Sequence, residues 1–343
     1  MDREKYGPAA FRANKSARAN AQRFCYETRH LISLSSNSPE FRKAHSSFEK
    51  YFDRILKIIQ GDHKLSKKPE SIDEITAVLA EDDFPAFLVS NLTNFDFETA
   101  KELLNLISRL LSNGNSLEFY ICRHIDRVII PLITSYSTAE LFLLCGQFLR
   151  DLLQNPTIFR ACLTVEILST LVRTAIDMPF EIGSDALDTM KILIECEKPV
   201  AAEFINEHYV EVLQSLYSLC DKDYYCKRQA LSILYNILTR SGTGDFKDQY
   251  VVGEENLKYV MMLIRADDSA QVKMEAFHLF MVILKRLVEL GRDAHKLPAY
   301  KILLKNKDRL VKFFEKFQKD KKDEEFVNER NQAIMIIQGL QAR

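Results

Sequence analysis

Two Glu-x-x-His pairs are the residues of this 343-residue sequence best spaced for chemistry: Glu27-Thr28-Arg29-His30 and Glu275-Ala276-Phe277-His278. On a helix, the i, i+3 spacing sets a carboxylate and an imidazole on one face, the unit from which di-iron sites in helical bundles are built. Such a site needs both copies facing each other and a further glutamate from each of two other helices. The plainer reading is coincidence, with His278 packed near the core and His30 on the surface. The other candidates fall short sooner. Ser241-Gly242-Thr243-Gly244-Asp245 is a flexible turn without the Lys-Ser/Thr ending of a phosphate loop. Asp221-Lys222-Asp223 begins like a calcium loop, but no glycine or closing glutamate follows at the required spacing. His45, His63, His124, His208 and His295 are scattered, and no nucleophile–base pair can be assembled. The expectation is a protein without catalytic residues, cofactor or metal.

Composition narrows the classes further. Lys and Arg number 47 against 48 Asp and Glu, for a formal net charge of −1. A nucleic-acid binder would carry a basic excess or a basic face, so that class is set aside. With 47% hydrophobic residues and well-mixed charge, the chain is not a disordered one. Apolar runs such as Val128 to Ile133 fall far short of the ~20 residues that span a bilayer, so no membrane span is expected. Seven cysteines, an odd number without a C-x-x-C pair, fit reduced thiols in a cytoplasmic protein.

Chemistry aside, the elements must be helices. Ten glycines and nine prolines leave few places to turn a strand. Apolar residues recur at helical spacing, as in Leu103, Leu104, Ile107, Leu110 and Leu111, and again in Leu231, Leu234, Ile237 and Leu238. Pro69, Pro156, Pro179, Pro199 and Pro298 fall where helices should begin, and Asn-Phe-Asp-Phe-Glu at 94–98 reads as a capped start. Aligning the last helix of each unit places Leu103, Cys145, Ala186, Ala230 and Ala276 at one position, 42, 41, 44 and 46 residues apart. These spacings lie within the range of about 40–47 for armadillo and HEAT repeats. The predicted fold is all-α: an armadillo/HEAT-like, right-handed α-solenoid of five to seven repeats. In it, the two Glu-x-x-His segments, about 250 residues apart, would lie at opposite ends.

Residues 36–343 are expected to form this single repeat domain, preceded by a basic segment over 1–35. Between Glu4 and Glu27 there is no acid, while Arg12, Lys15, Arg18 and Arg23 recur, as in a mitochondrial transit peptide. Asp2, Glu4 and the helical continuation through Phe24 and Tyr26 favour a basic solvated helix instead.

A solenoid offers a long surface to a partner. Importin-type peptide binding is argued against by the absence of tryptophan. RNA-reading repeats would need a recurring base-reading code and a basic groove, and neither is evident. On the helix predicted over 222–240, Tyr224, Arg228 and Ser232 form one stripe, opposite a core stripe of Ala230, Leu231, Leu234 and Leu238. Tyrosine and arginine are hot-spot residue types, so this stripe is the candidate interaction face, against an ordinary solvated face as the alternative.

From these residues a family resemblance follows. The stretches 223–231, 255–258 and 275–280 resemble the mouse protein 25 scaffold family, also called calcium-binding protein 39. So, in order, do Phe95-Asp96-Phe97-Glu98, Glu118-Phe119-Tyr120-Ile121-Cys122, the run 180–186, Ala202-Glu203-Phe204, the run 302–306 and Lys316-Phe317-Gln318. The likeness covers roughly residues 15 to 340 and is most specific from Phe180 onward. It implies a non-enzymatic armadillo-like scaffold that binds and activates a protein kinase or pseudokinase, of the STRAD, germinal-centre or NDR-pathway kind. It further implies a C-terminal pocket for a Trp-Glu-Phe peptide tail. Phe180, Tyr224 and Arg228 match the family's concave-face contacts, whereas Ser232 stands where the family carries lysine. Met261 matches a residue of the tail pocket. Lys305 matches a basic residue of that region less closely, and Phe246 matches another pocket residue only loosely, because the loop 241–245 before it is longer than the family pattern. A helical-repeat adaptor for an unrelated partner is the second reading, and a di-metal enzyme a distant third.

Overall fold

The computed structural model describes residues 16–35, 37–61, 71–112, 115–134, 141–196, 199–321 and 323–341. Twenty α-helices lie among the described residues. Two lead: α1 (Ala17–Ile32) and α2 (Pro39–Ile59). The remainder group in threes: α3 (Ser71–Glu81), α4 (Phe84–Ser90) and α5 (Phe97–Leu111), then α6 (Asn115–Arg123), α7 (Ile125–Thr134) and α8 (Phe142–Leu152). The third group is α9 (Pro156–Cys162), α10 (Val165–Asp177) and α11 (Phe180–Ile194), and the fourth is α12 (Pro199–Glu207), α13 (Tyr209–Cys220) and α14 (Tyr224–Thr239). The last two are α15 (Gly244–Val252), α16 (Glu254–Ala266) and α17 (Ala270–Leu290), followed by α18 (Pro298–Lys305), α19 (Lys307–Phe314) and α20 (Glu324–Gly339).

Local sequence fixes the helix starts. Ser38, Asp96, Asn155, Thr164, Asp223, Ser269 and Asp323 each accept a backbone N–H of the first turn with a side-chain oxygen. Pro39, Pro85, Pro156 and Pro298 occupy first-turn positions, where a missing N–H costs nothing. Pro156, Pro199 and Pro298 start helices as the sequence predicts, and Pro179 lies just before α11; Pro69 lies outside the described residues. Pro131 breaks the pattern, sitting inside α7.

Packing divides the chain into two units, Met1–Leu193 and Ile194–Arg343. Within the first, α3 packs on α6 and α6 on α9, α4 on α7 and α7 on α10, and α5 on α8. Arg150 of α8 bridges to Asp185 of α11 at 3.0 Å. In the second, α12 packs on α15 and α15 on α18, while α14 packs on α17 and α17 on α20. A helix thus meets the helix three places on, which defines an all-α, armadillo-like solenoid of three-helix repeats. The five anchors expected at equivalent positions fall on α5, α8, α11, α14 and α17. Leu103, Cys145, Ala186, Ala230 and Ala276 are all buried. Gly183 lets α11 approach α10, because a Cβ there would stand 2.8 Å from the Ala175 carbonyl oxygen.

Each unit has its own aromatic core. In the first, Phe24 touches Phe48, Phe52 and Phe84 at centroid distances of 5.2–6.1 Å. In the second, Phe277, Phe280, Phe314, Phe317 and Phe326 form a continuous cluster. The basic N-terminal residues are engaged rather than solvated alone. Arg18 pairs with Glu81 of α3, Arg23 with the buried Glu27, and Arg29 with Asp82 at 2.7 Å. Arg12 and Lys15 lie outside the described residues.

Candidate partner-binding surface

The α14 stripe forms as its sequence pattern predicts. Asp223 caps the helix by accepting the Cys226 N–H at 2.8 Å, so this acid is the start of a helix and not of a metal loop. Ala230, Leu231, Leu234 and Leu238 are buried. The other side is open: Tyr224 is 52% exposed, and Arg228 and Ser232 are half-buried behind it. The Arg228 guanidinium carbon lies 5.8 Å from the Tyr224 ring centroid, within cation–π range. Arg228 Nε is shielded from solvent and donates to no acceptor among the described residues. Arg240, about two turns beyond the stripe's end, likewise keeps Nε and Nη2 shielded without an acceptor, although its Nη1 donates to the Ile194 and Cys196 carbonyls at 2.9 and 2.6 Å. A shielded donor without an acceptor is unfavourable in the free protein and becomes favourable once a partner supplies one.

Around the stripe, charges are paired. Lys227 Nζ holds Asp267 Oδ2 at 2.9 Å, which ties α14 to the α16–α17 loop. Partial burial raises the Asp267 carboxyl, but the Ser269 N–H and Lys227 outweigh it and hold this acid below its ordinary value. Farther along α14, Tyr235 stands edge-on to His278, whose Nδ1 lies 3.3 Å from Glu329 of α20.

The other sequence-picked residues fall in different settings. Phe180 opens α11 in the first unit and is 61% exposed. Met261 is half-buried on α16, and Lys305 is exposed at the end of α18, a helix that packs on α16. Phe246 is fully buried, edge-on to Tyr209 at 4.9 Å, with its N–H donated to Asn206. It braces this region from within and has no surface to offer. Two cavities, of about 370 and 390 Å³, flank the α16–α17 loop. Tyr224 and Lys227 line the larger, and neither cavity is lined by Met261, Lys305 or Phe246.

Behind α16 lies a polar knot that no motif announces. Tyr217 OH donates to Asn256 Oδ1 at 2.9 Å, and Asn256 Nδ2 reaches Tyr209 Oη and the Tyr250 carbonyl at 3.0 and 2.8 Å. It joins α13, α15 and α16 and fixes the rotation of the helix that carries Met261.

The Glu-x-x-His pairs assemble nothing. Glu27 is bound to Arg23, and Glu275 accepts from Gln271. His278 turns to Glu329, and His30 stacks on Tyr26. Among the described residues, no three His, Cys, Asp or Glu side chains converge as metal ligands. All seven cysteines are free thiols. Burial pushes Cys145 and Cys162 up to about 12, far from the range in which a thiolate forms at neutral pH. No helix among the described residues is long and apolar enough to cross a membrane.

The chain has relatives among known proteins. The chain is 26% identical over 317 residues to human calcium-binding protein 39-like, covering 90% of this chain and 91% of that one. It is 26% identical to the Mo25-like protein of Schizosaccharomyces pombe, over 90% and 94% of the two chains. Among solved structures, a designed armadillo repeat protein in complex with peptide (KR)4 covers 76% of this chain and is itself covered over 99%, at 17% identity and a TM-score of 0.37. The Mo25-like family model matches residues 10–341, nearly the whole sequence, and the chain belongs to that family.

Proposed function

We propose that this protein is a non-enzymatic cytoplasmic scaffold that binds a protein kinase or pseudokinase and activates it allosterically. Tyr224 and Arg228 make the central contact, with Phe180 and Ser232 as further contacts. The observation that carries this reading is the Tyr224–Arg228 pair. An exposed aromatic lies beside a guanidinium whose shielded Nε has no acceptor, on the one open side of a helix otherwise buried. Both are residue types that anchor interfaces. Membership of the Mo25-like family supports the scaffold role. Ser232 in place of the family's lysine points to a less acidic partner surface at that position.

The test is affinity capture from the source cell with the wild type and Arg228→Ala, read by mass spectrometry. A kinase or pseudokinase should head the wild-type list. The variant should bind it more weakly by about 1–3 kcal/mol, at unchanged fold. Equal capture by the variant, or a wild-type list without any kinase fold, overturns the reading. Adding back the partner to the wild type should raise kinase activity in a peptide phosphorylation assay.

A second contact is proposed for a tail ending in Trp-Glu-Phe, at Met261 and Lys305. The flexible, polarizable methionine suits an aromatic ring, and the exposed lysine complements a glutamate. Titration of such a peptide by calorimetry should give micromolar binding, on the order of −8 kcal/mol, lost in Met261→Ala. If the wild type takes up no heat, this surface does not read such a tail.

A further inference from the structure

The smaller of the two cavities has an electrostatic character the family reading does not use. It lies where the end of α16, the start of α17 and the end of α19 meet. Ile264, Phe313 and Phe317 supply an apolar floor, the two rings standing 5.6 Å apart. Arg265, Lys273 and Lys316 rise around it from three different helical segments, with Asp268 as the one acid on the wall. Some cations of this unit are paired, Lys227 with Asp267, Lys258 with Glu254 and Glu255, Arg286 with Asp248 and Glu289. The three cavity cations make no hydrogen bond or ion pair among the described residues. Three unpaired cations against one carboxylate leave a concave, partly apolar space with a positive surplus of two. Such a shape concentrates field and attracts an anion.

We propose that this cavity binds a phosphorylated peptide: a phosphoserine or phosphothreonine held by Arg265, Lys273 and Lys316, with a neighbouring aromatic side chain on Phe313 and Phe317. The charge count selects the ligand. A glutamate brings one negative charge and leaves the surplus half unmet. A phosphate monoester brings about −1.5 to −2 and three acceptor oxygens, one for each cation. The apolar floor selects a peptide over a free ion, because only a side chain beside the phosphate covers the two rings. Clusters of cations read phosphorylated segments in just this way. The partner would then be held more tightly after a kinase has acted on it.

The probe is the peptide acetyl-Ala-Phe-phosphothreonine-Ala-amide, titrated calorimetrically into the full chain beside its unphosphorylated form. The phosphopeptide should bind at least about tenfold more tightly, as expected for charge-assisted hydrogen bonds. Lys273→Met and Lys316→Met should each weaken it by about fivefold to tenfold, while Lys316→Arg retains it. Neither lysine is buried, and circular dichroism will confirm that each variant folds. Equal binding of the two peptides, no binding of the phosphopeptide, or variants that bind like the wild type would each overturn the proposal. Sedimentation with phosphoinositide-containing vesicles decides the other source of phosphate: vesicle capture without peptide binding assigns the cavity to a membrane and rejects the peptide. The Arg228→Ala experiment probes a different helix, so either proposal can fail alone.

Discussion

The two units are built from the same three-helix repeat but dispose of their charges differently. In the first, charged side chains close on one another. The α3–α4 turn is held from both sides. Arg29 of α1 clasps Asp82 and lies 4.0 Å over the Phe87 ring, and Arg127 of α7 and Tyr120 of α6 grip Asp83. Asp83 itself adopts a left-handed backbone (φ 59°), a conformation these contacts must keep in place. In the second unit, polar links lie inside the stack, at Asn256, and Lys227 and Arg286 are paired. Arg228 Nε and the side chains of Arg265, Lys273 and Lys316 have no acceptor among the described residues. The first unit closes charges on a turn; the second pairs some and leaves three cations unpaired around one cavity. Identical architecture says little about where a solenoid binds, and the unpaired donors say more.

Four experiments would break or sharpen this contrast. The largest effect belongs to Asn256→Ala, which strips partners from the Tyr217 hydroxyl and the Tyr250 carbonyl inside the second unit. Chemical denaturation should show a loss of about 3 kcal/mol. A loss below 1 would mean that the knot is not structural. Next comes Arg29→Ala in the first unit, expected to cost about 1–2 kcal/mol through the carboxylate contact and the ring stacking. Acidification gives a smaller effect in both units. Asp83 and Asp267 are held below the ordinary carboxylate value: burial raises each, and the hydrogen bonds and cations that outweigh it are named above. Each therefore contributes stability above pH ~4 that fades as pH falls through the depressed folded value. The melting temperature should drop below pH 4, and Arg127→Ala should flatten only a little of that slope, because the Arg127 and Asp83 side chains are 47% and 42% exposed. Smallest is Arg228→Ala, which should leave stability within about 0.5 kcal/mol of wild type. A clear loss of stability there would make Arg228 a structural residue and erase the contrast.

The repeat was readable in the sequence because it is periodic. Leu103, Cys145, Ala186, Ala230 and Ala276 mark equivalent buried positions without any knowledge of their neighbours. Tyr224 and Arg228 were readable for the same reason, since i, i+4 spacing fixes a face. Phe246 was not. Its burial is decided by Tyr209 and Asn206, some 40 residues earlier, and a phenylalanine near a loop carries no sign of facing inward. The clamp at Asp82 and Asp83 was invisible because its arginines come from Arg29 and Arg127, far off on either side. The cations of the α16–α19 cavity were equally hidden. Arg265, Lys273 and Lys316 share no spacing, and only the fold brings them round one space.

That helices within each unit meet the one three places on has a consequence for how the chain is made. Partners along the stack are separated by little more than forty residues, the distance from Leu103 to Cys145 or from Cys145 to Ala186. No contact of this kind waits for a strand or helix from the far end, so loop-closure cost stays small and folding is fast for a chain of this size. During synthesis, a repeat of the first unit can settle on its predecessor as soon as about one more repeat has left the ribosome. Exposed apolar faces are then never more than a repeat or so deep at the growing end, which keeps the nascent chain from aggregating while it is incomplete.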